Sequence, residues 1–352
     1  MAWRLPWWSG ASGRAPESKS AARTRAVRPD GNGAAAAGAG GPVAQHDRRS
    51  PVPREILRQV REIELRTRGL VDTIFGGEYH SVFRGQGMEF AEVREYQTGD
   101  DVRHIDWNVT ARMGHPYVKK HVEERELTVF LVVDLSGSEQ FGTRLRFKAE
   151  AAAEVAAVLA LSAVRNNDRV GLLIFTDRVE HVVPPRKGRR HVLRVIRDVL
   201  AFRPAGTGTD IAGALDYAAR LLRHRSIMFV MSDFIGTGQA GRGTAPLLEK
   251  TLRTVARRHD VVAVSMTDVA ERALPRLGLV VVRDPETGEL VAVDTAKPGL
   301  RRAYERYVEA EWDEMRRLFR RLGIDEIGVR TDEPVVRPLL AFFRRRERKL
   351  KR

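Results

Sequence analysis

Apolar and polar positions alternate along this chain in two ways, as short uninterrupted apolar runs and as longer stretches with helical spacing. The clearest apolar run, 127–134, has the sequence Leu-Thr-Val-Phe-Leu-Val-Val-Asp, with no charge before its last residue. Such a run is typical of a strand buried on both faces of a sheet. Comparable runs predict further strands at 170–175, 227–233, 261–265 and 327–329.

Amphipathic or Ala-rich stretches between these runs predict helices at 144–164, 189–200, 211–223, 246–258, 300–322 and 334–346. Two antiparallel hairpins are also predicted, in which 179–183 returns along 170–175, and 279–282 pairs with 290–293 at the edge of the sheet. Strands that alternate with helices favour parallel pairing, with helices on both faces. We therefore predict an α/β fold with a doubly wound, mostly parallel sheet flanked by helices.

The chain before this region has a different pattern. Apolar residues recur at helical spacing after a proline and predict a helix, at Ile56, Val60, Ile63 and Leu70. Residues 76–126 are punctuated by glycine and predict short strands joined by turns. The predicted division is a disordered basic tail at 1–50, a helix plus a small β-rich module at 51–126, the α/β domain at 127–343 and a basic tail at 344–352.

Composition supports a globular protein without thiol chemistry. Of the 352 residues, 43% are hydrophobic and 30% are charged, which provides for a core and for its surface. The absence of cysteine excludes disulfides, thiolate metal sites and cysteine catalysis. No apolar stretch has the length of a membrane span or of a signal peptide, so we expect a soluble, cytoplasmic protein.

The formal net charge of +15 is concentrated at the two ends. Residues 1–50 carry +5 and residues 344–352 carry +6, which leaves +4 for the 293 residues between them. Basic tails can contact nucleic acid or another acidic surface. The Trp7–Trp8 pair can rest on a membrane interface, although a tail without fixed structure is the interpretation that we favour.

Polar side chains follow the predicted strands where each strand gives way to a loop. They lie after the first strand, in a Gly-Thr-Gly-Thr-Asp loop before a helix, and after a later strand, and are Asp134, Ser136, Ser138, Thr209 and Asp233. Ligands bind at the carboxyl edge of such a sheet, where adjacent strands lie about 5 Å apart. Hydroxyl and carboxylate oxygens without imidazole or thiol suit Mg²⁺ or Mn²⁺ rather than zinc or copper.

This set resembles the metal-ion-dependent adhesion site of von Willebrand factor A domains, which share the Asp-x-Ser-x-Ser sequence and the later Thr and Asp. The resemblance implies a von Willebrand factor A-like fold with an open metal position that accepts a carboxylate from a partner protein. It implies that Ser136, Ser138 and Thr209 bind the ion directly or through water. It also implies that Asp134 and Asp233 mostly hold the waters of the ion. Thr207 competes with Thr209, and Glu139 stands where many members have a hydrophobic residue.

The upstream module resembles the signature of the domain of unknown function 58 family. The matching residues are Gly85-x-Gly87-x-Glu89-Phe90, Val93-Arg94-Glu95-Tyr96, Gly99-Asp100-Asp101-Val102-Arg103, Ile105-Asp106-Trp107 and Ala111-Arg112. The similarity extends over residues 55–345. It implies a non-enzymatic adaptor that works with a MoxR-type AAA+ ATPase, or binds its client, in the assembly or maturation of other proteins.

Several of these polar residues also have structural interpretations. Ser136 or Ser138 can cap the following helix, and for Asp210 we favour a helix cap over a metal ligand. The charged residues between Arg94 and Arg112 form ion pairs more often than a catalytic set. We expect His104 to be packed or solvated rather than a ligand, and Trp107 to be part of the core.

A phosphatase and a nucleic-acid-binding protein are the two alternatives to the adaptor. A metal-dependent phosphatase of the haloacid dehalogenase type also has an aspartate after its first strand. It needs a second carboxylate two residues later, where this chain has Ser136, and no activated base is evident. Nucleic-acid binding depends on the basic tails alone. We therefore predict that the chain is not an enzyme and that a magnesium site serves protein interaction.

Overall fold

The computed structural model describes residues 54–70, 88–123, 127–140, 147–235, 244–283 and 290–350, so the predicted tail at 1–50 lies outside the described residues. The helices are α1 (Arg54–Leu70), α2 (Trp107–Met113), α3 (Lys148–Arg165), α4 (Arg189–Ala201), α5 (Ile211–Leu221), α6 (Thr244–Arg258), α7 (Val269–Arg272), α8 (Pro298–Leu322) and α9 (Val336–Leu350). The strands are β1 (Met88–Glu95), β2 (Tyr117–Glu123), β3 (Thr128–Asp134), β4 (Arg169–Phe175), β5 (Val179–Arg186), β6 (Ile227–Ser232), β7 (Asp260–Thr267), β8 (Leu279–Arg283), β9 (Leu290–Asp294) and β10 (Asp325–Arg330). Among these described helices, none is long and apolar enough to cross a membrane.

The central sheet has six strands in the order β10-β7-β6-β3-β4-β5. Neighbouring strands are parallel except β4 and β5, which form the predicted antiparallel hairpin. The chain moves outward from β3 through β4 to β5 and then returns to β6, on the other side of β3. The predicted fold class is confirmed, and the switch point of the doubly wound sheet lies between the carboxyl ends of β3 and β6.

Helices cover both faces of this sheet, because successive side chains of a strand point to opposite faces. Val129, Leu131 and Val133 of β3 pack in the layer that contains α1, α3, α4 and α9. Phe130 and Val132 pack in the layer that contains α5, α6 and α8. All five side chains are fully buried. Since burial of each stabilises the fold by about 1.5–3 kcal/mol, β3 is fixed firmly in the centre of the sheet.

The upstream module contains a helix that the sequence pattern did not predict. Strands β1 and β2 pair antiparallel, as expected of a small β-rich module. Between them, Asp106 caps α2 by accepting hydrogen bonds from the amides of Asn108 and Val109, and Gly114 ends it in the left-handed conformation (φ 76°). Trp107 begins this short helix with 69% of its surface exposed, so its predicted place in the core is wrong.

Among the charged residues of the module, the structure shows the predicted pairing at Arg94 and Asp100, and caps that were not predicted at Asp101 and Asp106. Arg94 donates two hydrogen bonds to the carboxylate of Asp100, at 2.7 and 2.8 Å. Asp101 accepts a hydrogen bond from the amide of Arg103 and thereby caps a 3₁₀ turn. His104 was expected to be either packed or solvated, and it is exposed. These contacts fix the local backbone of the module.

The second predicted hairpin forms, but it does not extend the central sheet. Strands β8 and β9 make a separate two-stranded sheet. Its inner side chains pack against Tyr304 and Val308 of α8, so the expected edge position is wrong. An antiparallel sequence pattern determines the local pairing of two strands and leaves open which sheet they join.

Helix α9 continues to Leu350, through most of the segment predicted as a basic tail. Arg346 forms an ion pair with Asp260, and Lys349 forms one with Asp325 at 2.7 Å. Arg345 donates a hydrogen bond to the backbone carbonyl of Glu326. Part of the positive charge at the carboxyl end therefore serves to hold the last helix on the sheet.

Candidate functional site

The first predicted loop begins where β3 ends at the switch point. Asp134 is buried, and its Oδ1 accepts a hydrogen bond from the amide of Ser136 at 2.9 Å. The amide of Leu135 donates to the carbonyl of Phe175 at the end of β4. A 3₁₀ turn over Gly137–Gln140 follows. The aspartate therefore shapes the loop that carries the two serines.

The two serine hydroxyls of this loop lie side by side. Ser136 Oγ and Ser138 Oγ are 3.2 Å apart, and both residues are buried. A helix cap would require either hydroxyl to accept a backbone amide. Among the described residues, the two hydroxyls contact each other, and the Ser136 hydroxyl also bonds to Asp134. No backbone amide is described as a donor to either hydroxyl, so the alternative of a cap finds no contact there.

The loop after β6 is joined directly to Asp134. Ser232 Oγ donates to Asp134 Oδ2 at 2.7 Å and accepts from the amide of Phe234 at 3.2 Å. Asp233 follows, buried, and its Oδ1 accepts from the amide of Ile235 at 3.1 Å. The structure thus brings Asp134, Ser136, Ser138 and Asp233 to one point of the sheet edge. It adds Ser232, which the sequence analysis did not assign to the site.

The Gly-Thr-Gly-Thr loop reaches the same edge through its backbone. The amide of Gly137 donates to the carbonyl of Thr207 at 2.9 Å, two residues before the half-buried Thr209. Asp210 is the N-cap of α5 and accepts from the amide of Gly213 at 2.9 Å, as predicted. The loop of Thr209 is therefore tied to the loop of the two serines.

A buried lysine stands behind these loops, and sequence reasoning missed it. Lys148, in the first turn of α3, is fully buried, and its Nζ contacts Asp233 Oδ2 at 2.9 Å. The same ammonium forms an ion pair with Glu271 of α7, which is also fully buried. Glu139 is buried with neither carboxylate oxygen hydrogen-bonded to the described residues. A single charged residue in a first helical turn usually lies at the surface, so the sequence carried no signal of this cluster.

The two aspartates of the site are neutralised unequally. Burial raises the pKa of Asp134 to about 7, together with the negative charge of Asp233, and these effects exceed the hydrogen bonds from Ser136 and Ser232. Burial also acts to raise the pKa of Asp233, but the Lys148 ammonium beside it outweighs burial and holds that pKa below the usual range. The uncompensated negative charge therefore lies at Asp134.

Two buried glutamates behind the site, Glu139 and Glu271, hold a proton more strongly than a glutamate in water does. Burial raises the pKa of Glu139 well above its usual value, against the attraction of Lys148. Burial likewise raises the pKa of Glu271. Burial alone would lower the pKa of Lys148, but the surrounding carboxylates, Asp233 first, raise it. Lys148 and Asp233 are consequently a charged pair at neutral pH.

The donor set fits a hard cation with hydroxyl ligands. The site offers two adjacent hydroxyls and the Asp134 carboxylate, whose charge is only partly neutralised. It also offers Glu139, whose carboxylate has no hydrogen bond to the described residues. Oxygen ligands of this kind are those that Mg²⁺ and Mn²⁺ prefer. In the part of the chain that the structure describes, no group of three or more His, Cys, Asp or Glu residues is placed to hold a metal ion. A cation here would therefore depend on Ser136 and Ser138 rather than on a carboxylate cage.

Comparison with known proteins covers most of the chain. A profile of the family described as "Protein of unknown function DUF58" matches residues 92–314. An uncharacterised protein of Mycobacterium tuberculosis is 34% identical over 296 residues, which are 84% of this chain and 90% of the relative.

Two solved structures are also similar. BatB from Bacteroides thetaiotaomicron is 15% identical, with 63% of this chain and 99% of that chain covered and a TM-score of 0.40. The SpRpn10 VWA domain is 13% identical, with 61% and 93% covered and a TM-score of 0.31. Because both TM-scores are low, the fold described above rests on the strand order of this chain itself. The family match extends over well more than half of the sequence, and the chain therefore belongs to the DUF58 family.

Proposed function

We propose that this chain is a non-enzymatic adaptor whose switch-point site binds Mg²⁺ or Mn²⁺ and, through the metal, a carboxylate of a partner protein. The observation that carries the proposal is the buried pair of hydroxyls, Ser136 and Ser138, 3.2 Å apart beside Asp134. Two hydroxyls at this spacing present lone pairs to a common cation. A metal ion with an unfilled position attracts an external carboxylate.

The individual roles follow from the bonds that each side chain already makes. Ser136 and Ser138 would hold the cation directly, with Thr209 as the third hydroxyl of the set. Asp134 and Asp233 already accept hydrogen bonds on both oxygens, from backbone amides, Ser232 and Lys148. They would act mainly by orienting water around the ion and by supplying negative charge. Bound metal would supply an electrophilic position for the carboxylate of the partner.

The same bonds argue against the phosphatase alternative. A nucleophilic aspartate needs an oxygen that is free to attack, and a general acid or base nearby. Asp134 Oδ1 and Oδ2 are both hydrogen-bonded, and Ser136 occupies the position of the required second carboxylate. Lys148 is engaged by two carboxylates and is fully buried. The geometry supports recognition better than chemistry.

For the partner we propose a MoxR-type AAA+ ATPase or its client, with an acidic side chain as the recognised group. This part follows from the family resemblance of the upstream module. Nucleic-acid binding is less favoured, because Arg345, Arg346 and Lys349 of the carboxyl end contact acidic or carbonyl oxygens of the chain itself. We propose a cytoplasmic location for the complex.

The metal site is tested by titrating Mg²⁺ and Mn²⁺ into the full chain and measuring heat and thermal stability. We expect saturable binding to the wild type and its loss in the double variant Ser136→Ala/Ser138→Ala. Ser162→Ala is the matched control, because that buried hydroxyl bonds only within α3, to the carbonyl of Val158. An equal metal response in the double variant and the wild type would refute the assignment.

The adaptor role is tested separately by copurification with a MoxR-type ATPase, with and without chelator. We expect capture that needs both the metal and Asp134, so Asp134→Ala should release the partner. Capture that ignores chelator and substitution alike would remove the metal from the mechanism. Phosphatase turnover that Asp134→Asn abolishes would establish the enzyme alternative instead.

A further inference from the structure

A second candidate site lies beside the first, in a cavity of about 160 Å³ on the α8 face of the sheet. Its walls come from the carboxyl halves of β7 and β10, from α7 and α8, and from the residues that follow β6. Asp233 contributes to the wall, so the cavity and the switch-point loops share one residue. The cavity is therefore close to the proposed metal site and separate from its hydroxyl pair.

Gly328 leaves space at this point of the edge strand β10. A Cβ atom built at Gly328 would meet no other atom within 4 Å. Across the cavity stand Trp312 of α8 and Arg272 of α7. A ligand can therefore approach the strand backbone at Gly328, where a large side chain would extend into the cavity.

The acceptors in the wall are already used. Asp233 Oδ2 accepts from Lys148 at 2.9 Å, and its Oδ1 accepts from the amide of Ile235 at 3.1 Å. Glu326 Oε1 accepts from Ser265 Oγ at 2.9 Å. These bonds engage both oxygens of Asp233 and one oxygen of Glu326.

Arg316 and Arg330 in the wall donate to carboxylates, at Asp313 and Asp332, but two other donors of the wall are less engaged. The indole Nε1 of Trp312 is buried and has no acceptor among the described residues. The Arg272 guanidinium lies 4.8 Å from the centroid of the Trp312 ring, and this stacking is the contact described for it. Stacking on an indole fixes the plane of a guanidinium while its N–H groups stay available. A buried N–H without an acceptor is rare in folded proteins.

We propose that this cavity binds an oxyanion, a carboxylate or a phosphate group about the size of one acidic side-chain head group, through Arg272 and the Trp312 indole N–H. A guanidinium binds such groups by charge-assisted, often paired hydrogen bonds. The Trp312 N–H adds a donor that has no acceptor among the described residues. This proposal does not depend on the metal site, because neither Arg272 nor Trp312 is among the side chains proposed to hold the metal.

The experiment is calorimetric titration of the full chain at constant ionic strength, in buffer freed of divalent cations by a chelating resin. One arm uses inorganic phosphate and the other uses glutarate, which carries the head group of an acidic side chain. We expect saturable binding of at least one probe by the wild type. Phosphate alone would indicate a free or esterified phosphate, and glutarate alone would indicate an acidic side chain of a partner.

Two variants and one control locate the binding. Arg272→Gln removes the stacked charge and should weaken binding tenfold or more, about the loss of one charge-assisted contact. Gly328→Leu fills the cavity without changing charge and should abolish binding. Arg276→Gln removes an equal charge from an exposed residue of the loop that follows α7 and should leave affinity within twofold. No saturable binding by the wild type, or equal losses in Arg272→Gln and Arg276→Gln, would overturn the proposal.

Discussion

Replacement of Lys148 by methionine should destabilise the fold by about 3–5 kcal/mol at pH 7, the usual cost of removing one partner from a buried ion pair. Lys148 is fully buried, and its ammonium contacts Asp233 at 2.9 Å and also Glu271. Methionine keeps a long apolar side chain and removes the charge. Two carboxylates would then lie in the core without a counter-charge.

The magnitude has an upper bound, because a carboxylate left without its partner can take up a proton. For Asp233, with an ordinary pKa of 3.8, protonation at pH 7 requires about 4 kcal/mol, at about 1.4 kcal/mol per pH unit. Lys148 holds the pKa of Asp233 in the folded chain below that value, so its stabilisation is present above the unfolded pKa and disappears as pH falls through the folded one. In the variant, the free energy needed to protonate Asp233 falls by about 1.4 kcal/mol per pH unit, so its deficit should shrink by about two-thirds between pH 7 and pH 5.

The assay is urea unfolding at pH 7 and pH 5, followed by far-ultraviolet circular dichroism. Lys250→Met is the control, because Lys250 is an exposed lysine of α6. That control should change the free energy of unfolding by no more than about 0.5 kcal/mol. A Lys148→Met protein within about 1 kcal/mol of the wild type at pH 7, or with a deficit that is independent of pH, would refute the assignment of a charged buried pair.

Three further substitutions test other parts of the fold. Gly171→Val should lower the free energy of unfolding by about 1–3 kcal/mol, because a Cβ atom at this position would lie 2.6 Å from the ring of Phe130. A melting temperature equal to that of the wild type would contradict this prediction. Asp210→Ala should remove about 1 kcal/mol of helix capping and leave the response to Mg²⁺ intact, which separates its cap from the metal site in paired melting and titration experiments. Burial lowers the pKa of His259, with help from Arg258 and Arg225, so the unfolded chain binds the proton more readily and wild-type stability should fall from pH 7 to pH 5. His259→Met should lose that part of the pH dependence in urea midpoints, and an unchanged dependence would argue against it.

The strands and their loops could be predicted because burial on both faces leaves a clear pattern in sequence. The run that ends at Asp134 has no charge, and each polar group that follows a strand must lie at one edge of a parallel sheet. The cap at Asp210 was predictable for a similar local reason, since a carboxylate just before a helix accepts its free amides. Local rules were sufficient wherever the partner was near in sequence.

The remaining features depend on contacts between distant segments. Lys148 and Glu271 meet only because α7 closes on the start of α3, and either residue alone resembles a surface charge in a first helical turn. The bond from Ser232 to Asp134 likewise joins loops 98 residues apart. The error at Trp107 is of the opposite kind, because a residue predicted to be buried is exposed. An aromatic residue in a short helix does not indicate which side of that helix faces solvent.

The unequal treatment of the two switch-point aspartates indicates where a cation would be held. Two carboxylates at adjacent strand ends repel each other, and the fold supplies one internal cation, Lys148, which it places against Asp233. Asp134 accepts hydrogen bonds from the Ser136 amide and from the hydroxyls of Ser232 and Ser136, none of which carries a charge. Burial and the negative charge of Asp233 raise its pKa to about 7. Attraction for an external cation is therefore greatest on the β3 side, where Ser136 and Ser138 present their hydroxyls. On this argument the lysine would not compete with a metal for one position; by neutralising Asp233 it would direct a metal to the other aspartate.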